Sequence, residues 1–193
     1  MISSRKIDKS LYPTTPVHRT QKLAITALMA SLALAFSILK LEAPYPVLPY
    51  LKFDLAEVPA TFAYFMCGLS CGLLAEALHF AGLVARGSEP LGAFMKFLAV
   101  SSMLVGSSVV KAVSKNIVLE FLGASTTRVA VMTIINWVYF TLLYPGFLSY
   151  AVKMAGGLIL VYVYTAVFNL VHTVFSLGVA YAVYREVERR IEI

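Results

Sequence analysis

From Leu23 onward the chain is a succession of apolar runs, most of them the length of a membrane crossing. A spanning helix needs about 20 mostly apolar residues, with a usual range of roughly 17–25. Leu23 to Leu39 meets that, with Lys22 and Lys40 placed to carry their charges outward at its ends. Leu55 to Ala85 is apolar for longer than one crossing needs, and Gly68-Leu-Ser-Cys-Gly72 interrupts it. Glycine costs helix stability and favours turns, so this run divides into two helices, about 55–67 and 70–85. Arg86-Gly-Ser-Glu-Pro90 is a turn, with Pro90 suited to a helix start. Leu91 to Val110 is the next span. Lys111 to Arg128 reads as polar enough to leave the membrane, and Val129 to Leu143 follows, stopped by Tyr144-Pro-Gly146. The last run, Ala155 to Tyr184, exceeds the membrane thickness and should tilt or emerge into the cytoplasm. The expected fold is therefore all-α and integral to the membrane, with six transmembrane helices. They form one domain over residues 22–185, between a polar segment, 1–21, and a charged tail, 186–193.

Composition supports lipid as the main solvent. The chain is 60% hydrophobic and 13% charged, where a soluble domain carries about 25% charged residues. The net charge of +6 has no basic stripe on a polar fold to serve nucleic acid, and basic ends on a membrane protein explain it. Cys67 and Cys71 match no metal motif and make no disulfide framework, so they read as small packing residues. Residues 1–22 are polar and the first apolar run lacks a small-residue cleavage site, so that run reads as a retained helix.

Orientation follows from Lys and Arg. With both ends inside, the inner segments hold Arg5, Lys6, Lys9, Arg19, Lys22, Lys111, Lys115, Arg128, Arg185, Arg189 and Arg190, against Lys40, Lys52, Arg86 and Lys153 outside. Basic residues favour the inner side, which puts both termini in the cytoplasm. The long loop between the first two helices is then extracellular. That loop, Tyr45 to Phe53, is aromatic, stiffened by Pro44, Pro46 and Pro49, and built to close over something. Glu42, Lys52, Asp54 and Glu57 gather at its junction with the second helix. Asp54 and Glu57 have the spacing of a capping box, although Pro59 fits poorly with a helix starting at Asp54.

Ionisable groups inside a membrane are costly and are functional candidates by default. Lys96 lies six residues beyond Pro90, roughly 9 Å into its span, and either snorkels or serves a site. Glu76 and His79, at i, i+3, share a helix face and could form a structural pair or bind a ligand. Asn136 lies nine residues before Pro145, roughly 13 Å from the outer end, with Tyr139 and Leu143 on the same face. It suits either a ligand or an interhelical hydrogen bond. Lys153 opens the last helix at its outer edge. On the first helix Ala27, Ser31 and Ala35 recur every four residues, a spacing that lets another helix approach closely, within the bundle or outside it. No P-loop, His-Glu-x-x-His or Gly-x-Ser-x-Gly motif is present.

Leu51-Lys-Phe-Asp-Leu-Ala-Glu-Val-Pro-Ala60, followed by Gly68-x-x-x-Gly72, resembles the substrate-binding S-components of energy-coupling factor (ECF) vitamin transporters, of the riboflavin-binding type. Glu89-Pro-Leu-Gly92, Asn136-Trp-Val-Tyr139 before Pro145, and Lys153 add weaker likenesses, and the resemblance spans roughly residues 22–185. It implies a cell-membrane binding subunit rather than an enzyme. Such a subunit has no cofactor and no ATPase of its own, and it docks on a transmembrane coupling subunit carried by two cytoplasmic ATPases. The resemblance implies that Ala27 and Ser31, with Ala35, face the coupling subunit, and that Asn136 and Lys153 approach the flavin ring. Tyr45, Tyr50, Phe53 and Tyr139 would supply aromatic walls, and Glu42, Asp54 and Glu57 would accept hydrogen bonds from a polyol tail. Two positions depart from the family pattern. His79-Phe80 stands where a Lys-Asn pair is usual, and Lys96 where an Asn is common. Another vitamin, such as thiamine, folate or biotin, stays open as the ligand. So does a small membrane enzyme using Glu76, His79 and Lys96.

Overall fold

The computed structural model describes residues 18–191. Most of the N-terminal segment, including Arg5, Lys6 and Lys9 of the charge count, lies outside the described residues, as does the end of the tail. The described chain is mostly helical: α1 (Arg19–Ile38), α2 (Glu57–Cys67), α3 (Leu69–Ala85), α4 (Pro90–Val113), α5 (Ile117–Val138), α6 (Pro145–Ala155) and α7 (Leu158–Ile191). Two short strands, β1 (Glu42–Pro44) and β2 (Lys52–Asp54), pair antiparallel between α1 and α2, with Glu42 opposite Asp54 and Pro44 opposite Lys52. The proline-tyrosine loop is thus the tip of a β-hairpin, an element absent from the all-α expectation.

Among the described residues, four helical segments are long and apolar enough to cross a membrane: α1, α4, α5 with the turn after it, and α7. The protein is therefore a multi-pass membrane protein. The apolar α3 is shorter, with 17 residues, and α2 has only 11. Nearly all of α2 is buried, from Glu57 to Phe65, because it runs through the middle of the bundle. A helix surrounded by protein can be apolar on every side. Gly68 separates α2 from α3 at φ 94°, a conformation that favours glycine. After this break Gly72 packs so tightly that a Cβ would lie 2.9 Å from Tyr64 Cβ. Cys67 closes α2 and Cys71 sits in the first turn of α3. The break sets them on one side, and they are joined as a disulfide rather than packing as free thiols.

The polar stretch expected to leave the membrane does not do so. α4 runs on to Val113 and α5 begins at Ile117, leaving three residues between them. Asn116 caps α5 by accepting from the Val118 N–H at 2.9 Å. The polar groups inside α5 find partners in the bundle: Glu120 accepts from Ser107, and Arg128 is bound to Glu57. Arg128 therefore leaves the inner side of the charge count. α4 and α5 cross closely at Gly106 and Gly123, where a Cβ on Gly106 would lie 2.6 Å from the Gly123 carbonyl.

The C-terminal end of α5 widens into a π-helical turn, Tyr139–Leu143. Pro145 has no N–H to continue the helix, and the Tyr144 N–H reaches back to the Tyr139 carbonyl at 2.8 Å. Pro145 then starts α6, which Gly156 ends in the left-handed conformation. The apolar pattern of the sequence predicts no separate helix here. Lys153 consequently lies in the last turn of α6 instead of opening the final helix. α7, at 34 residues, is roughly 50 Å long and carries the expected charged tail as a helical continuation, with Glu186 paired to Arg189 and Arg190.

Candidate ligand-binding site

A cavity of about 640 Å³ lies beneath the β-hairpin, walled by α3, α4, α5, the π-helical turn and α7. That is within the usual size range of small-molecule sites. Its construction begins at the end of β2. Asp54 Oδ1 accepts from the Ala56 N–H at 2.7 Å, and Oδ2 takes the Lys96 ammonium. Glu57, the first residue of α2, points into the bundle and is 2% exposed. The capping box is therefore not formed: Ala56 is the N-cap and no side chain caps the helix. Pro59 falls in the first turn, where a missing N–H costs nothing.

Arg128 grips Glu57 with both terminal nitrogens, Nη1 at 2.6 Å and Nη2 at 2.9 Å. Its Nε donates to Asn169 Oδ1 at 3.1 Å, and Ser176 donates to Glu57 Oε2 at 3.1 Å. Nη2 also lies 3.2 Å from His172 Nδ1. The other ring nitrogen, Nε2, lies 3.1 Å from the Asp54 backbone nitrogen and 3.3 Å from the Asp54 carbonyl oxygen. α2, α5 and α7 are thereby tied together, and His172 links them to the end of the hairpin.

Above this polar floor stands an aromatic wall. The ring centroids of Tyr50 and Phe147 are 5.1 Å apart, and Phe140 stacks on Phe147 at 6.1 Å. Tyr139 completes the wall from the π-helical turn. The Tyr50 hydroxyl is buried and has no hydrogen-bond partner among the described residues. Burial, with Tyr139 and Tyr150 nearby, pushes its pKa up to about 12. Asn136 Nδ2 donates to the Met132 carbonyl at 2.7 Å, and the residue lines the cavity.

Of the side chains singled out in the sequence, Glu42, Tyr50, Lys52, Asp54, Glu57, Lys96, Asn136 and Tyr139 line this cavity. Tyr45 and Phe53 do not. They stand behind it, with Phe53 4.9 Å from Phe168 and 5.5 Å from His172 between ring centroids. Glu76 and His79 are a buried pair between α1 and α3, 3.3 Å apart. Lys96 is bound to Asp54, not to that pair. Lys153 is exposed on α6 and does not line the cavity. Ala27 and Ser31 are exposed and Ala35 is half-buried, while Ala30 and Ala33 turn inward. The small-residue stripe therefore faces outward rather than into the bundle at its first two positions. Sequence reasoning missed Arg128, Asn169 and His172. The signal for Arg128 was a charge set directly against the apolar run that follows it, and for the other two an i, i+3 polar pair inside the last apolar run.

No family model matches the chain. Residues over a 138-residue alignment are 28% identical to the riboflavin transporter FmnP of Bacillus subtilis (strain 168), covering 67% of this chain and 72% of that protein. The fold is similar to a solved S component of a bacterial ECF transporter, with a TM-score of 0.72 at 22% identity, over 91% of this chain and all of that one. Both findings support the resemblance carried by Leu51–Ala60, and the chain has the S-component fold.

Proposed function

We propose that this protein is the riboflavin-binding S-component of an ECF-type importer. The observation that carries the reading is the cavity's division into an aromatic wall and a paired-charge floor. A flat, largely apolar ring system fits beside Tyr50, Tyr139, Phe140 and Phe147. A ring edge or polyol tail fits the donors and acceptors of Asn136, Lys96, Asp54 and Asn169. The kinship with a riboflavin transporter supports the same ligand. In this reading the termini are cytoplasmic and the β-hairpin closes the cavity from outside the cell membrane. The exposed Ala27–Ser31 face docks on a coupling subunit carried by two ATPases.

The test is direct. Protein purified from a flavin-producing host should be yellow. After ligand removal it should quench riboflavin fluorescence on titration, with thiamine, biotin and folate failing to compete. Competition by one of those three, without flavin binding, would change the vitamin. Folded protein that binds none of them would sink the reading.

A further inference from the structure

A short hydrogen-bond relay runs through the α1–α3 wall and ends at the cavity. His79 and Glu76 are 0% and 1% exposed. His79 Nδ1 lies 3.3 Å from both Glu76 carboxylate oxygens, and its Nε2 lies 2.9 Å from Ser37 Oγ. Ser37 lines the cavity, whereas His79 and Glu76 do not. The serine is the one member of the relay that a ligand can touch.

We propose that Ser37 is a specificity-determining residue whose hydroxyl hydrogen is turned into the cavity by the His79–Glu76 pair, matched to an acceptor atom of the ligand. The inference rests on reading the cavity as the ligand site. A net charge on a pair buried this deeply is costly. Two arrangements carry none: a carboxylate facing an imidazolium, or a carboxylic acid facing a neutral imidazole. In the first, both ring nitrogens bear hydrogen. In the second, the acid donates to Nδ1, because an Nδ1–H on its carbonyl oxygen would leave the buried acid hydrogen without an acceptor among the described residues, so the ring hydrogen sits on Nε2. Either way Nε2–H points at Ser37 Oγ, and the hydroxyl accepts. A hydroxyl that accepts from a histidine still has its own hydrogen to give.

Among the described residues that hydrogen has no competing backbone acceptor. Ser31, on the same helix, donates to the Ala27 carbonyl at 2.9 Å. Among the described residues Ser37 makes no such backbone bond. Its hydrogen is therefore left for the cavity. The complementary ligand group is a carbonyl oxygen or an unprotonated ring nitrogen. A ligand offering its own N–H at that point meets a donor and is disfavoured, because two donors leave both unpaired.

Two measurements on the full-length protein in detergent test this. The first is titration with riboflavin by fluorescence quenching. Ser37→Ala should weaken binding by about 5- to 10-fold, the loss of one neutral hydrogen bond, and Ser37→Thr, which keeps the hydroxyl, should restore most of it. Wild-type affinity in Ser37→Ala would overturn the proposal. The second is nitrogen NMR of imidazole-labelled protein, with His79 assigned by its loss in His79→Asn. A protonated Nε2 is expected, and an unprotonated Nε2 would overturn the donor assignment whatever the ligand. If wild-type protein binds no riboflavin, the functional reading fails, and the NMR result alone decides the orientation of Ser37.

Discussion

Glu57 and Arg128, 71 residues apart in the chain, meet as a two-pronged ion pair within the membrane-spanning bundle. The planar guanidinium fork matches a carboxylate in a way that lysine does not. Removing one partner of a buried pair strands the other charge and costs about 3–5 kcal/mol. Arg128→Met should therefore lower the thermal unfolding temperature sharply in detergent. The double variant Glu57→Leu with Arg128→Met should regain most of that stability while vitamin binding stays weak. A single variant as stable as the parent would show that the pair contributes nothing.

Asn136 and Lys153 now separate. Asn136 lines the cavity, and its Nδ2 is already committed to Met132. The amide oxygen and the second amide hydrogen are left for a ligand. Loss of that partner corresponds to roughly 1–3 kcal/mol, so Asn136→Ala should weaken binding by about 5- to 150-fold. Lys153→Ala should leave affinity within about twofold, since the ammonium is exposed on α6. The opposite pattern in a flavin titration would move the site outward to α6.

Tyr50 gives a pH signature. Its pKa is raised from the ordinary 10 to about 12, so the folded protein keeps a phenol proton that the unfolded chain releases. The resulting stability is fully present below pH 10 and is lost as pH rises from about 10 to 12. Tyr50→Phe should flatten stability over that window relative to the parent, and should weaken vitamin binding at neutral pH. An unchanged stability profile between pH 10 and 12 would contradict the burial of the hydroxyl.

The outward face of α1 separates capture from delivery. Ala27 and Ser31 are exposed, so a tryptophan at either position projects away from the rest of the bundle among the described residues. Ala27→Trp and Ser31→Trp should bind vitamin normally yet lose uptake in cells carrying the complete transporter. Normal uptake in both would leave that face without a partner.

Much of this arrangement was legible from local chemistry. The Gly68 break and the Arg86–Pro90 turn each depend on residues close in sequence. The failures share a different cause. Lys111 to Arg128 reads as polar enough to leave the membrane because a polar side chain is judged against lipid, when its solvent is other helices. Glu57 neutralises Arg128 from a position that no local pattern reveals. The same holds for Asp54 and Glu57, whose spacing suggested a cap while distant Lys96 and Arg128 claim both carboxylates. Lys153 was misplaced because Tyr144-Pro-Gly146 reads equally as the end of one helix or the start of another.

Asp54 closes the hairpin and builds the cavity wall with the same few atoms, through Ala56, Lys96 and His172. The tip, from Tyr45 to Leu51, is held by much less of the backbone, with the Tyr45 N–H on the Leu51 carbonyl and the Leu51 N–H on the Leu48 carbonyl. The two halves of the loop therefore differ in how much change they tolerate. Substitutions in the tip can reshape what the cavity admits while the floor stands. A substitution at Asp54 disturbs lid and floor together. A lineage adapting this scaffold to a new cargo would be expected to vary the tip freely and to keep Asp54.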